Sequence, residues 1–572
     1  DVSGAHGESK KLQSIQNYVL LSKTRDALLA TNASSCLSGN AGCVPLNIFQ
    51  PNQVTAAMAS YISQTATTQV NTKLDQAKGV ISGDTGIKAP WANDGINFAL
   101  GTEYRKYQAQ QVSDQLAKSA GELGGAGGAA PDIKGGYEVY EGFGELIVPI
   151  AQDRPLMHEL SVEGGFRQSH YKIDTAGSPS YNATTWKVAG TWAPTPDLKF
   201  RGNYQRAVRA PNIGELFSPL STGLTNLGTD PCAGAAPVSN ANLRAVCLAQ
   251  GAPAATIGTI TNPTAGQANI TTGGNTKVRP ETATTWTVGA VFTPSFLPGF
   301  SGSIDYYNIK VKDAITTPTP ADLIAACFNG ISAASATSAA CTAIRRNPIS
   351  GALDGPPDTT FGLLGVLSNL GKLATSGVDL ALNYSTGIGT ILGQESRLSF
   401  AFQGNYTAHS KFQATPTSID RECVNQYSVN CSSIQPKFSF NERTTLSLGP
   451  VDISLLWRWM NKVHLEDQQM AEDLAACGNV TDAQDAVANG GDACLIDTKF
   501  RQIKAYSWFD LTTRFDVTKN FDITMSVFNL FDKKPPLLGG TVGTTSQNGG
   551  NTYPSSYDAL GRRFAVSAKV KF

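Results

Sequence analysis

The sequence predicts an all-β protein, a transmembrane antiparallel β-barrel, and three observations carry that prediction. Apolar and polar residues alternate along many separate segments, short polar turns alternate with long connections, and no run approaches the roughly 18 consecutive apolar residues that a spanning helix requires. A barrel grows by adding strands around a ring rather than by thickening a core, so 572 residues fit one architectural unit. Lys+Arg and Asp+Glu balance at 45 each, which argues against a nucleic-acid partner held by phosphate neutralisation.

The first rows lie near 8–22 and 67–82, and further strands begin near 95, 137, 158, 184, 198, 282, 300, 375, 396, 436, 451, 506, 521 and 560. About sixteen strands are therefore expected, with ends uncertain by a few residues. Leu100 and Tyr104 alternate with Glu103 and Arg105, and Leu160, Val162 and Phe166 alternate with Ser161, Glu163 and Arg167. Val451, Ile453, Leu455, Trp457 and Trp459 stand against Asp452, Ser454 and Arg458. Such strands are greasy on one face and wet on the other. In the last strand Phe564, Val566, Val570 and the terminal Phe572 form the apolar row, as a lipid-facing closing strand should. An edge strand of a soluble sandwich is the alternative for that segment alone. Trp457, Trp459, Trp508, Tyr384, Tyr406 and Phe572 are expected at lipid interfaces, and Tyr553 and Tyr557 are loop residues that could touch a ligand.

Ten cysteines fall as five neighbouring pairs: Cys36/Cys43, Cys232/Cys247, Cys327/Cys341, Cys423/Cys431 and Cys477/Cys494. All five lie in long connections, so the expectation is disulfide-stapled extracellular loops, each stabilised by about 2 to 3 kcal/mol in the chain-entropy model. Zinc fits poorly: C-x-x-C is absent, and none of His6, His158, His170, His409 and His464 has finger spacing. Short helices are expected over 53–63, from Ala321 and from Asp467, the last two ending at cysteines. The run 121–130 is Gly-rich and reads as a flexible surface loop.

Glu103, Arg105, Glu141 and Glu145 lie on polar strand faces and are lumen candidates; Arg206, Arg209 and Glu215 open a large loop and are vestibule candidates. Each could equally be a structural ion pair that stiffens a wet wall. No H-E-x-x-H, G-x-S-x-G or unpaired cysteine supports catalysis, so no enzyme, cofactor or metal is expected. Asp1–Glu8 has no basic start before an apolar core, so no export signal is read there.

Several stretches, in order, resemble TonB-dependent outer-membrane receptors. Arg209-Ala-Pro-Asn-Ile-Gly-Glu-Leu-Phe217 is similar to their R-A-P-x-x-x-E-L-F element, and Pro280-Glu281 to Gly289 to a strand opening that starts P-E and runs to a glycine. Asp305-Tyr-Tyr307, Asn529-Leu-Phe-Asp532 and Tyr557-Asp-Ala-Leu-Gly-Arg562 resemble the D-Y-Y, N-L-F-D and Y-D-x-x-G-R elements. Ala27 to Ala30 with Cys36 and Cys43 to Asn47 resembles an internal loop of an alphaproteobacterial subgroup. The resemblance implies a bacterial outer-membrane location and a barrel of roughly 22 strands around an amino-terminal plug. Residues 1–572 would be the C-terminal part of that barrel, without the plug and about six first strands.

The implied function is TonB-driven import of a scarce solute such as a siderophore-iron complex or an oligosaccharide. TonB would act through a plug that these residues do not contain, and a second chain could supply it together with the remaining strands. Outer-membrane lipid and lipopolysaccharide are the surrounding partners. A passive porin-like channel, or a barrel scaffolding a larger assembly, is the competing reading.

Overall fold

The computed structural model describes all residues except 127, 417, 429, 432–433, 477–495, 539–551, 554 and 572. Cys477, Cys494 and Phe572 therefore lie outside the described residues.

Sixteen long strands form one meandering antiparallel sheet. They are β1 Val2–Leu20, β2 Ser63–Asp84, β3 Asn97–Ser113, β4 Ile133–Arg154, β5 Met157–Ile173, β6 Ser180–Thr195, β7 Leu198–Arg209 and β8 Glu281–Phe292. The second half is β9 Phe300–Thr316, β10 Ser368–Ile391, β11 Gln394–Gln413, β12 Phe438–Leu448, β13 Val451–Met460, β14 Tyr506–Thr518, β15 Phe521–Phe528 and β16 Arg563–Val570. Each pairs with the next in sequence. Among the described residues β1 and β16 do not pair with each other, so the sheet keeps two outer edges.

One rim is made of tight turns, such as 196–197, 392–393, 449–450 and 519–520. Leu392 and Gly449 there adopt left-handed backbone (φ 52° and 56°), which reverses the chain in two residues. The opposite rim carries the long connections. Four disulfides lie on it as expected: Cys36–Cys43, Cys232–Cys247, Cys327–Cys341 and Cys423–Cys431. Helices form there at Ala56–Ile62, Pro320–Phe328 and Asp467–Ala476, where local sequence called for them. Thr319 caps Pro320–Phe328, accepting from the Asp322 amide while the Asp322 carboxylate accepts from the Thr319 amide, which satisfies two otherwise orphaned donors.

Period-2 alternation sorts the two faces. Leu100, Leu146, Val162, Phe166, Val188, Ile304, Phe564 and Val566 share the outer, apolar face. Aromatic rings pack across its strands, with Trp286–Tyr306 tilted at 4.8 Å and Phe440–Trp459 stacked at 5.5 Å between centroids. The other face is polar and concave: one cavity touches the polar rows of six successive strands, β9 to β14.

The connections 210–280 and 317–367 fold together into a small domain on the long-loop rim. Its three-stranded sheet joins Ser221–Asn226, Gln267–Gly273 and Leu363–Val366. Val246, Ala268, Ile344, Leu353 and Leu363 form its core beside the Cys327–Cys341 bridge. Gly362 sits at φ 67°, and a Cβ there would lie 1.8 Å from the Asn269 carbonyl oxygen, so the crossing admits only glycine.

Candidate functional site

The concave wall begins with β3, β4 and β5, where opposed residues meet in register. Glu103 faces Glu141, and Glu141 faces Ser169. Two carboxylates opposite one another would repel. Arg105 and Arg167 resolve this: both donate to the Glu141 carboxylate, Arg167 at 2.8 Å, and Ser169 donates at 2.6 Å. Gln76 donates to Glu103. Arg167 lies over the Phe143 ring at 4.5 Å. Glu103 and Glu141 are buried in this mesh.

Glu145 is different. It lies four residues from Glu141 on the same face, but its nearest cation, Lys187, is 3.6 Å away and its side chain is half exposed. Arg209 grips Glu281 and Glu215 with paired hydrogen bonds of 2.7 to 3.1 Å. Glu215 also accepts from the Asn212 amide, so the clamp fixes the base of connection 210–280. Arg206 does not join it. Three residues from Arg209, it has the opposite parity and shares the outer face with Tyr204 and Trp286. The vestibule expectation for Arg206 is therefore corrected by the register of β7.

Further along the wall, a cavity of ≈ 710 Å³ is lined by Asp379, Asn405, Asn441, Arg458 and Trp508, with Ser555 and Ser556 reaching in from the last long connection. Arg458 pairs with Asp510 at 3.0 Å and sits over the Trp508 ring at 5.8 Å. Trp508 thus faces inward, whereas Trp457, Trp459, Tyr384 and Tyr406 take the outer face as expected. The missed signal was Asp510, which shares the parity of Trp508 along β14.

At the mouth, a second cavity of ≈ 790 Å³ is lined by Ser119, Gly121, Gly124, Gly125, Gly128, Thr222, Thr225, Asn226, Gln267 and Asn269 among others. None of its lining residues is charged. The Gly-rich run is tied down rather than loose, since Leu123–Gly124 pairs with Val19 and Leu20 of β1 and Gly128 bridges to Gly223. A Cβ on Gly128 would lie 3.2 Å from Gly223 Cα, so glycine permits the approach.

Tyr553 and Tyr557 are buried, not ligand-facing. They pack with Tyr427, Tyr506, Val463 and Leu538, with ring pairs Tyr427–Tyr553 and Tyr506–Tyr557 at 6.3 and 5.1 Å. Burial pushes the Tyr427, Tyr553 and Tyr557 phenols well above their usual range. Because the folded state holds these groups protonated, their contribution to stability is complete below about pH 10 and is lost as pH rises further. Titration followed at 295 nm should show an ionisation curve below about pH 11 that is unchanged by Tyr553→Phe. A smaller amplitude in the variant over that range would show that the ring is accessible.

The family description "TonB dependent receptor-like, beta-barrel" matches residues 18–530. The chain belongs to this family. TonB-dependent receptors are transporters of the bacterial outer membrane rather than enzymes, and this barrel is an outer-membrane protein. Among solved structures, a ferric enterobactin receptor variant of Pseudomonas aeruginosa bound to enterobactin is 14% identical, with a TM-score of 0.53, covering 100% of this chain and 60% of that one. A second variant of that receptor, also with enterobactin, is 15% identical with a TM-score of 0.52 and the same coverage. At this identity the likeness is one of fold. This receptor barrel spans about 60% of the length of those chains. No curated protein matches it.

Proposed function

We propose that this barrel is the translocating wall and outer mouth of an energised importer, taking up a scarce solute of the siderophore-iron or oligosaccharide class. The observation that carries the reading is the fused loop domain above a polar, concave wall, in a chain that belongs to the TonB-dependent receptors. Loops that share a disulfide-stapled core present a preformed surface, which lowers the ordering cost of capture. The enterobactin-bound receptors of similar fold favour a ferric siderophore; the uncharged cavity at the mouth favours a neutral, polyhydroxylated solute.

Among the described residues, the outer edge of β1 as far as Tyr18 and that of β16 are unpaired, which supports a ring completed by further strands. Both faces of β1 are exposed from Val2 to Asn17 and both faces of β16 from Phe564 to Val570, and open edges of this length invite pairing. In the complete receptor those strands, with an internal plug that reaches TonB, would close the cylinder and make passage depend on energy.

A deletion strain grown under iron limitation and on defined carbon sources tests the proposal. Loss of growth on one solute, restored by the receptor only when TonB is present, is the expected result. Restoration without TonB would replace import by passive diffusion.

A further inference from the structure

The cavity at the mouth has two acceptor oxygens on its wall that the protein itself does not saturate. Its ≈ 790 Å³ lie within the roughly 300 to 1,000 Å³ of a small-molecule site, and Asn269 and Thr222 both line it. Asn269 is 1% exposed. Its Nδ2 donates to the Gly355 carbonyl at 3.0 Å and to the Thr360 carbonyl at 2.7 Å. Only an amide nitrogen can serve two carbonyl oxygens, so the chemistry fixes which way the side chain points. Oδ1 is the atom left over: it is buried and has no hydrogen-bond partner among the described residues. A buried acceptor without a donor is costly, and native folds keep few of them.

Thr222 reaches the same condition by another route. Thr271 donates to the Phe361 carbonyl at 2.8 Å, which uses its one hydroxyl proton. The 2.9 Å contact between Thr222 and Thr271 is therefore donated by Thr222, whose oxygen keeps only acceptor capacity. Thr222 faces Thr271 and Leu224 faces Asn269 in register, so all four share one face of the three-stranded sheet. Thr222 and Asn269 are diagonal neighbours there, roughly 7 to 8 Å apart. Ala268 and Leu363 belong to the core on the other face. Around the two acceptors the cavity offers the apolar surface of Leu123, Leu224 and Pro357 and no charged side chain. The Gly-rich run opposite is pinned to β1 and to Gly223, so the wall is in place before a ligand arrives.

We propose that this cavity is a subsite for a neutral carbohydrate unit, and that Asn269 Oδ1 and Thr222 Oγ1 select it by accepting hydrogen bonds from its hydroxyl groups. A sugar ring carries O–H donors at its edge and C–H faces that suit leucine and proline. Carboxylate or catecholate oxygens bring only lone pairs, to a wall that already presents two acceptors and has no cation to offset them. This subsite deepens the reading of the chain as an importer, on which it rests, and makes Asn269 a residue that sets specificity.

The test uses the full receptor purified in detergent and an array of neutral and uronic-acid oligosaccharides, with ferric enterobactin as an anionic comparator. Neutral oligosaccharides should be retained in preference to both. The permethylated form of any that binds keeps its oxygens but has no hydroxyl donor, and it should not be retained. Asn269→Leu should weaken retention about fivefold or more, the usual worth of a hydrogen bond. Because the Asn269 amide also holds Gly355 and Thr360, Thr222→Val is measured beside it. Thr271 keeps its bond to Phe361 in that variant, so hydrogen exchange over Gln267–Gly273 should match the parent while retention falls about fivefold. Retention of no neutral oligosaccharide, a preference for the anionic probes, equal retention of the permethylated form or unchanged retention by Thr222→Val would overturn the proposal. Uptake of the retained oligosaccharide without TonB would instead remove the energised importer and leave the subsite in place.

Discussion

Arg346→Met is expected to cost the extracellular domain about 3 to 5 kcal/mol, because it leaves the buried Asp230 carboxylate without its counter-ion and with only the Cys232 amide as a donor. Both side chains are fully buried. Arg346 donates to the two Asp230 oxygens at 2.6 and 2.8 Å, to the Gln250 side-chain oxygen at 2.7 Å and to the Gly351 carbonyl at 3.2 Å. The partners are 116 residues apart, so this pair joins connection 210–280 to connection 317–367. Hydrogen exchange should show the strands Ser221–Asn226 and Gln267–Gly273 losing protection while β2 to β7 keep theirs. A double variant, Asp230→Leu with Arg346→Met, should recover most of the loss, since it is the stranded charge, not the missing pair, that destabilises. Unchanged exchange in the single variant would mean that the two loops do not depend on this contact.

Glu141→Leu should have the second largest effect, about 3 kcal/mol, through the two arginines it leaves facing one another. Arg105 and Arg167 both rely on this carboxylate, and Glu103 alone would have to serve them, at 3.5 and 3.6 Å. Unfolding in urea with detergent present, scored by heat-modifiable migration, should reveal the loss. Glu145→Leu, four residues away, should shift the midpoint by under about 0.5 kcal/mol, because its contact with Lys187 is long and exposed. Equal effects of the two substitutions would contradict the division between a load-carrying mesh and a solvated rim charge.

That pair of glutamates shows how far the chain could be read before its fold was known. Glu141 and Glu145 have the same chemistry, parity and strand, and nothing local separates them. The difference lies in what β5 and β6 bring alongside: Arg167 and Ser169 opposite one, Lys187 near the other. Trp508 was legible in principle, since Asp510 shares its parity, but a tryptophan close to a strand end also suits a lipid interface. Tyr553 and Tyr557 were not legible, because their burial depends on Tyr427, from another connection, and on Tyr506, at the start of β14.

Local periodicity by itself determined the sixteen strands, the apolar outer row, the short-turn and long-loop rims and the four described cysteine pairs, whose members lie 7 to 15 residues apart. Pleating alternates side chains between faces every residue, so a strand's two environments are written along it. Only the tertiary structure decided which loops share a core, that Asp230 meets Arg346, and that Arg206 turns toward lipid while Arg209 clamps a loop. Contacts between distant segments follow from register and from the closing of loops over one another, and no short stretch of chain carries that information.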